Sequence, residues 1–218
     1  MIYLCFAIMV LVPYLLCGIN TAIIVTKIKC GKDIRTLGSG NAGLTNTLRT
    51  QGKVAALFVL IGDVLKGVLS VLIVRFSFLW LANIDTTVLS NGMNYVAFVA
   101  ALTGFLGHLF PIYYKFKGGK GILVSVAILM TVEWIPACIL LGIFIIVVAI
   151  TRYVSLGSCI AGALYAPVTL TYGLLVGDPS AFINAGLGLI IGILILYMHR
   201  GNIQRLKNHT EKKLGQKA

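Results

Sequence analysis

The chain has 218 residues, 59% of them hydrophobic and 11% charged, with a mean hydropathy of +0.99. A chain this apolar has too little polar surface to face water, which excludes a soluble domain and predicts a polytopic membrane protein. Eighteen Lys and Arg against six Asp and Glu give a net charge of +12; in a membrane protein the positive-inside rule accounts for most of that excess, and no nucleic-acid partner is called for.

The first apolar run, Ile2–Thr26, has no basic residues before it and no small-residue cleavage site, so it reads as a retained helix and not a removed signal peptide. Further runs follow at Val54–Phe76, Val88–Leu109, Gly121–Val132, Ile135–Ile150, Ser155–Val176 and Ala181–Met198. Most approach the ~20 residues that cross a hydrocarbon core. The fourth and fifth are short and separated only by Glu133-Trp134, so length alone leaves open one kinked helix or a tight hairpin. Charge decides. With seven spans, Lys27, Lys29, Lys32, Arg35, Arg49, Lys53, Lys115, Lys117, Lys120, Arg152 and the basic tail share one side, while Asp85, Glu133 and Asp178 fall on the other. The expected fold is therefore all-α: a single seven-helix membrane bundle over residues 1–218, N-terminus outside, C-terminus cytoplasmic. Every polar or glycine-rich cluster then lies on the cytoplasmic side.

Between the first two spans, residues 35–49 include Gly38-Ser39-Gly40-Asn41-Ala42-Gly43 and then Thr45, Asn46 and Arg49. The hydroxyls and amides are hydrogen-bonding groups, and the Arg49 fork suits a phosphate; the bland alternative is a capped turn leading into the second helix. Within the second span, Asp63 and Lys66 stand three apart and can pair on one face, where an ionisable pair at membrane depth is either functional or a structural lock. Arg75 reads as a snorkelling anchor. After the third span comes Gly107-His108, then Lys115-Phe116-Lys117-Gly118-Gly119-Lys120-Gly121. Backbone N–H groups of such a run can close round an anion, with Lys120 adding a charge. The spacing is not that of a nucleotide P-loop, so ATP or GTP use is not supported. Ser155 and the stretch His199-Arg200-Gly201-Asn202 complete the set on that side. The acids are scattered and the five cysteines have no metal-ligand spacing, so no metal and no disulfide are expected, and most of the thiols read as buried.

Together these segments resemble the PlsY family, bacterial membrane acyltransferases that use acyl phosphate to acylate glycerol 3-phosphate. The resemblance rests on Gly38 to Asn46 with Arg49, on Asp63, Lys66 and Gly67, on Gly107-His108 through Phe110-Pro111 and Phe116 to Gly121, on Arg152 to Leu156, and on His199-Arg200 with Asn202, Arg205 and Glu211, all in order along the chain. It departs from the family pattern at Ala42, Leu44, Gly201, His209 and Ile122-Leu123-Val124. It implies a seven-helix fold and transfer of a fatty acyl group from acyl phosphate to glycerol 3-phosphate, giving lysophosphatidic acid and phosphate at the cytoplasmic membrane, with no cofactor and a monomer sufficing. The roles that follow are catalysis by Ser39, Asn41, His199 and Asn202, and phosphate binding by Arg49, Lys117, Gly118, Gly119, Lys120 and Gly121. Thr45, Asn46, His108 and Ser155 would position substrate. His199, His108 and a substrate phosphate oxygen are alternative proton acceptors, and positioning outranks base catalysis for every side chain because the donor is already activated. The competing class is an anion transporter, against which stands the lack of an inverted repeat or a polar track on the outer side.

Overall fold

The computed structural model describes residues 1–86 and 92–216, and its regular structure there is helical. The helices are α1 (Ile2–Gly18), α2 (Thr21–Cys30), α3 (Leu44–Gln51), α4 (Lys53–Ala82), α5 (Tyr95–Leu109), α6 (Ile122–Val132), α7 (Trp134–Thr151), α8 (Val154–Leu175), α9 (Ala181–Met198) and α10 (Arg200–Lys207). Among the described residues, six stretches are long and apolar enough to cross a membrane: Ile2–Cys30, α4, Tyr95–Tyr114, α7, α8 and α9. The expected second span extends on to Ala82, and the third begins its helix at Tyr95; Val88, the start expected for it, lies outside the described residues.

The first span is not continuous. Its helix stops at Gly18, Ile19 turns extended, and Asn20 starts α2 by accepting the Ile23 N–H at 3.1 Å. That break leaves the Ile19 carbonyl free, and Lys66 Nζ takes it at 2.8 Å. α5 and α6 are also short, at 15 and 11 residues. At 1.5 Å per residue they run ~22 Å and ~16 Å, well under a full hydrocarbon core. The chain between them fills the difference by folding inward, with Gly118 N–H donating to Leu109 O at 3.0 Å and Gly119 N–H to His108 O at 3.2 Å. The loop thus folds back onto the end of α5, with Gly119 buried and Lys115 to Lys117 exposed.

Lipid gives helices no hydrophobic reason to associate, so backbones must approach closely. A Cβ on Gly192 would collide with the Gly162 carbonyl where α8 meets α9, and one on Gly107 with the Tyr14 carbonyl where α1 meets α5. Buried Phe98, Phe105, Ile128, Tyr165 and Ile191 fill the centre among α5, α6, α8 and α9.

At the end away from the glycine loops, Asn94 donates to Glu133 Oε1 at 2.9 Å and to Asp178 Oδ2 at 3.4 Å, and Asn184 donates to Asp178 Oδ2 at 2.8 Å. Burial, and next the neighbouring Asp178, push Glu133 up to about 7. Arg75 is no snorkelling anchor: its guanidinium turns inward and donates to Thr131 O and Val132 O at 2.8 and 3.1 Å, satisfying carbonyls that end α6. The thiols also differ from expectation. Cys5 and Cys17 are buried, Cys159 is half-buried, and Cys30 and Cys138 are exposed.

Candidate active site

A cavity of 790 Å³ opens at the end of the bundle where the glycine loops lie and runs inward between α6, α7, α8 and α9. Its mouth is polar, with Ser39, Arg49, Lys120, His199, Asn202 and Glu211; its depth is apolar, with Leu129, Leu140, Phe144 and Tyr165. Such a shape takes a ligand with a charged head and a hydrocarbon tail.

Residues 37–43 owe their shape to one side chain. Asn46, at the start of α3 and 1% exposed, accepts the Ser39 N–H at 3.0 Å and donates to Leu37 O at 2.9 Å and Asn41 O at 3.0 Å. Gly38 and Gly40 take positive φ of 55° and 72°, which glycine alone adopts without cost. The loop is therefore rigid at its base and exposes the Ser39 side chain at the cavity mouth. A second brace joins this region to the other loop: Arg35, ion-paired to Asp33 at 2.7 Å, donates to Tyr114 O and Lys117 O at 3.1 and 3.0 Å.

In the Gly118-to-Gly121 run the glycines serve close packing. The Gly118 and Gly119 N–H groups are already spent on α5 carbonyls, so they are not open donors for an anion. A Cβ on Gly119 would lie 2.5 Å from His108 Nε2 and 2.6 Å from Ala42 O, and one on Gly121, at φ 78°, would strike Phe105. Lys117 is exposed and does not line the cavity. Of this run only Lys120 lines it, and burial, then the Arg205 charge, lower its pKa to about 8.

Lys120 Nζ contacts Asn202 Oδ1, and the Asn202 amide cannot turn round because its nitrogen donates to Glu211 Oε1 at 2.6 Å. The same carboxylate accepts from Ser155 Oγ at 2.8 Å and Arg205 Nε at 2.7 Å. Burial raises the Glu211 pKa, but these hydrogen bonds outweigh it and hold the group below its ordinary range. His199, ending α9 and 4% exposed, donates from Nδ1 to Ile195 O at 2.8 Å. A carbonyl cannot donate, so the proton is on Nδ1 and Nε2 is a bare acceptor. Burial, then Lys120, lower this imidazole to about 4, and it is neutral at physiological pH. Arg49 donates from one nitrogen to Lys212 O at 3.2 Å, while its buried Nε has no partner among the described residues. Beneath the loops, Asp63 Oδ1 and Lys66 Nζ are 2.7 Å apart and both buried, and Asp63 reaches the cavity wall.

The cavity thus gathers Ser39, Asn41, Thr45, Asn46, Arg49, His108, Lys120, Ser155, His199 and Asn202, and it leaves out Lys117, Gly118, Gly119 and Gly121. The family model for glycerol-3-phosphate acyltransferase matches residues 7–209. The chain belongs to that family. An acyltransferase of the same name from Clostridioides difficile (strain 630) is 42% identical over 212 residues, covering 97% of each chain. One from Coxiella burnetii (strain CbuG_Q212) is 39% identical over 209 residues, covering 96% of this chain and 98% of its own. Crystal structures of PlsY (YgiH), an integral membrane glycerol 3-phosphate acyltransferase, superpose with a TM-score of 0.76 at 30% identity in the glycerol 3-phosphate form and 0.74 at 28% in the lysophosphatidic acid form, covering 95% of this chain and 94% of each. Set beside this membrane acyltransferase family, the site residues absent from the sequence-based assignment are Glu211, Arg205 and the Asp33–Arg35 brace. Glu211 stands alone among basic residues in the tail, a signal of pairing; nothing local marks Arg35 as a loop clamp.

Proposed function

We propose that this chain transfers a fatty acyl group from acyl phosphate to glycerol 3-phosphate, producing lysophosphatidic acid and inorganic phosphate at the cytoplasmic face of a bacterial membrane. The observation that carries this reading is the cavity itself, with a cationic mouth on an apolar shaft. The tail of the donor fits the shaft, and both phosphates meet Arg49 and Lys120, whose charge offsets the repulsion between two anions.

The acceptor hydroxyl attacks the acyl carbonyl carbon; the new ester C–O bond forms as the C–O bond to phosphate breaks, and phosphate leaves with the bond's electrons. The hydroxyl proton passes to a phosphate oxygen. His199, with its bare Nε2, accepts a hydrogen bond from the attacking hydroxyl and orients it; a group held to about 4 is a weak base but a competent acceptor. Ser39 orients the same hydroxyl from the other loop. Asn202, fixed by Glu211, holds the Lys120 ammonium. We read the chain as a monomer with seven crossings, its N-terminus outside, with α6 short because the site is recessed.

Phosphorus NMR of the purified chain with both substrates tests this reading. Lysophosphatidic acid and inorganic phosphate should appear in equal amounts as acyl phosphate and glycerol 3-phosphate disappear. Phosphate release without a matching lysophospholipid, or no turnover by a folded sample, overturns it.

A further inference from the structure

We propose that Lys66 sets the tautomer of His108, so that this imidazole presents an Nε2–H donor to a substrate phosphate. The inference rests on the acyltransferase reading above and assigns roles within that site.

Lys66 Nζ has three partners: Asp63 Oδ1 at 2.7 Å, the Ile19 carbonyl at 2.8 Å and His108 Nδ1 at 3.1 Å. An ammonium has three donors and no acceptor, so Nδ1 must accept. The ring then carries its proton on Nε2. The geometry that enforces this is built from three elements. The break between α1 and α2 supplies the Ile19 carbonyl, and Thr21 Oγ1 fixes Asp63 by donating to it at 3.0 Å. The ring belongs to the last turn of α5.

The ring is 3% exposed, and Nε2 abuts the Gly119 backbone, yet Nε2 has no hydrogen-bond partner among the described residues. His108 lines the cavity, as does Lys120. An N–H that faces such a cavity can donate a charge-assisted hydrogen bond to an anionic oxygen. The two histidines therefore divide the work. His199 Nδ1 donates to a carbonyl and its Nε2 is free to accept from the substrate hydroxyl; His108 Nδ1 accepts from Lys66 and its Nε2 is free to donate. His108 is thus removed from the candidates for proton acceptor.

The first test is long-range ¹H–¹⁵N correlation on histidine-labelled chain in nanodiscs, with the His108 signals assigned by their loss in His108→Gln. At neutral pH the ring should be neutral with its proton on Nε2, and inorganic phosphate should move that N–H resonance. In the double variant Asp63→Asn, Lys66→Met, the other tautomer should become populated. Kinetics give the second test. His108→Gln keeps an N–H at the Nε2 position, and His108→Asn withdraws it. The Asn variant should raise the KM of one phosphate substrate tenfold or more, with Gln within about threefold of wild type. Whether glycerol 3-phosphate or acyl phosphate shows the rise identifies the phosphate that takes the bond. A proton on Nδ1, an imidazolium, a tautomer indifferent to the double variant, or equal KM values in the Asn and Gln variants overturns the proposal. The tautomer measurement needs no turnover, so an inactive wild type would defeat the acyltransferase reading without deciding this one.

Discussion

Lys120 is the residue whose charge the account depends on most. Its pKa, lowered to about 8 by burial and the Arg205 charge, places its loss of a proton just above neutrality in the free enzyme. The rate constant kcat/KM should therefore fall on the alkaline side with a midpoint near 8, and Lys120→Arg should move that limb out of range, because guanidinium does not titrate there. An unchanged limb in Lys120→Arg would assign it elsewhere. No acid limb from His199 should appear above about 5, since that ring is already neutral. Ser39→Ala should cost about 10²-fold in kcat by loosening the acceptor hydroxyl, and no acyl adduct should form on wild type given acyl phosphate alone. A covalent acyl-Ser39 species formed and consumed at the turnover rate would replace direct transfer with a double displacement. That Ser39, Lys120 and His199 meet at one cavity was legible in the sequence, because they sit beside glycines or at span ends on the side where the polar loops gather. Glu211 was legible as part of the family pattern, but not in its role, which lies in three partners drawn from α8 and α10.

At the scale of elements, the glycine run illustrates how composition can mark a loop without showing where its N–H groups bond. Gly118-Gly119-Lys120-Gly121 reads as an anion cradle from residue types alone. In the fold, two of its N–H groups bond to the end of α5, and its glycines are there because carbonyls, the His108 ring and Phe105 leave no space for a Cβ. Gly119→Ala should accordingly lower both activity and melting temperature, since the added Cβ would displace His108 or residue 42. Activity lost at unchanged stability would favour an open anion cradle instead. The short α6 was legible as the apolar run Gly121–Val132, whereas the start of α5 at Tyr95 was not: an apolar run shows where a helix can lie, not where it begins. At the opposite end Glu133 gives a stability prediction. Its folded pKa of about 7 exceeds the unfolded value of ~4.3, so the folded state holds the extra proton between those values. Stability from this group is present at low pH and lost as pH rises to 7. The melting temperature in detergent should be lower at pH 7.5 than at pH 5.5, with Glu133→Gln flattening that slope. An equal slope in the variant would place the titration on another group.

For the whole molecule, hydropathy and length give six stretches able to cross a membrane among the described residues, and the charge distribution along the sequence groups the polar loops. It united loops far apart in the chain on one face, and the cavity mouth draws on those same loops. Cys30 lies at that end and is exposed, so in a variant holding it as sole cysteine an impermeant thiol reagent should label it only after the cells are opened. Labelling of intact cells would invert the topology. The central claim, direct transfer from acyl phosphate by side chains alone, is tested most directly by initial rates of the purified chain with glycerol 3-phosphate and EDTA, comparing acyl phosphate with acyl-CoA of the same chain length. The account predicts full activity with acyl phosphate under chelation and none at comparable rate with acyl-CoA. Activity that EDTA abolishes and Mg²⁺ restores, or equal rates from the two donors, would contradict it.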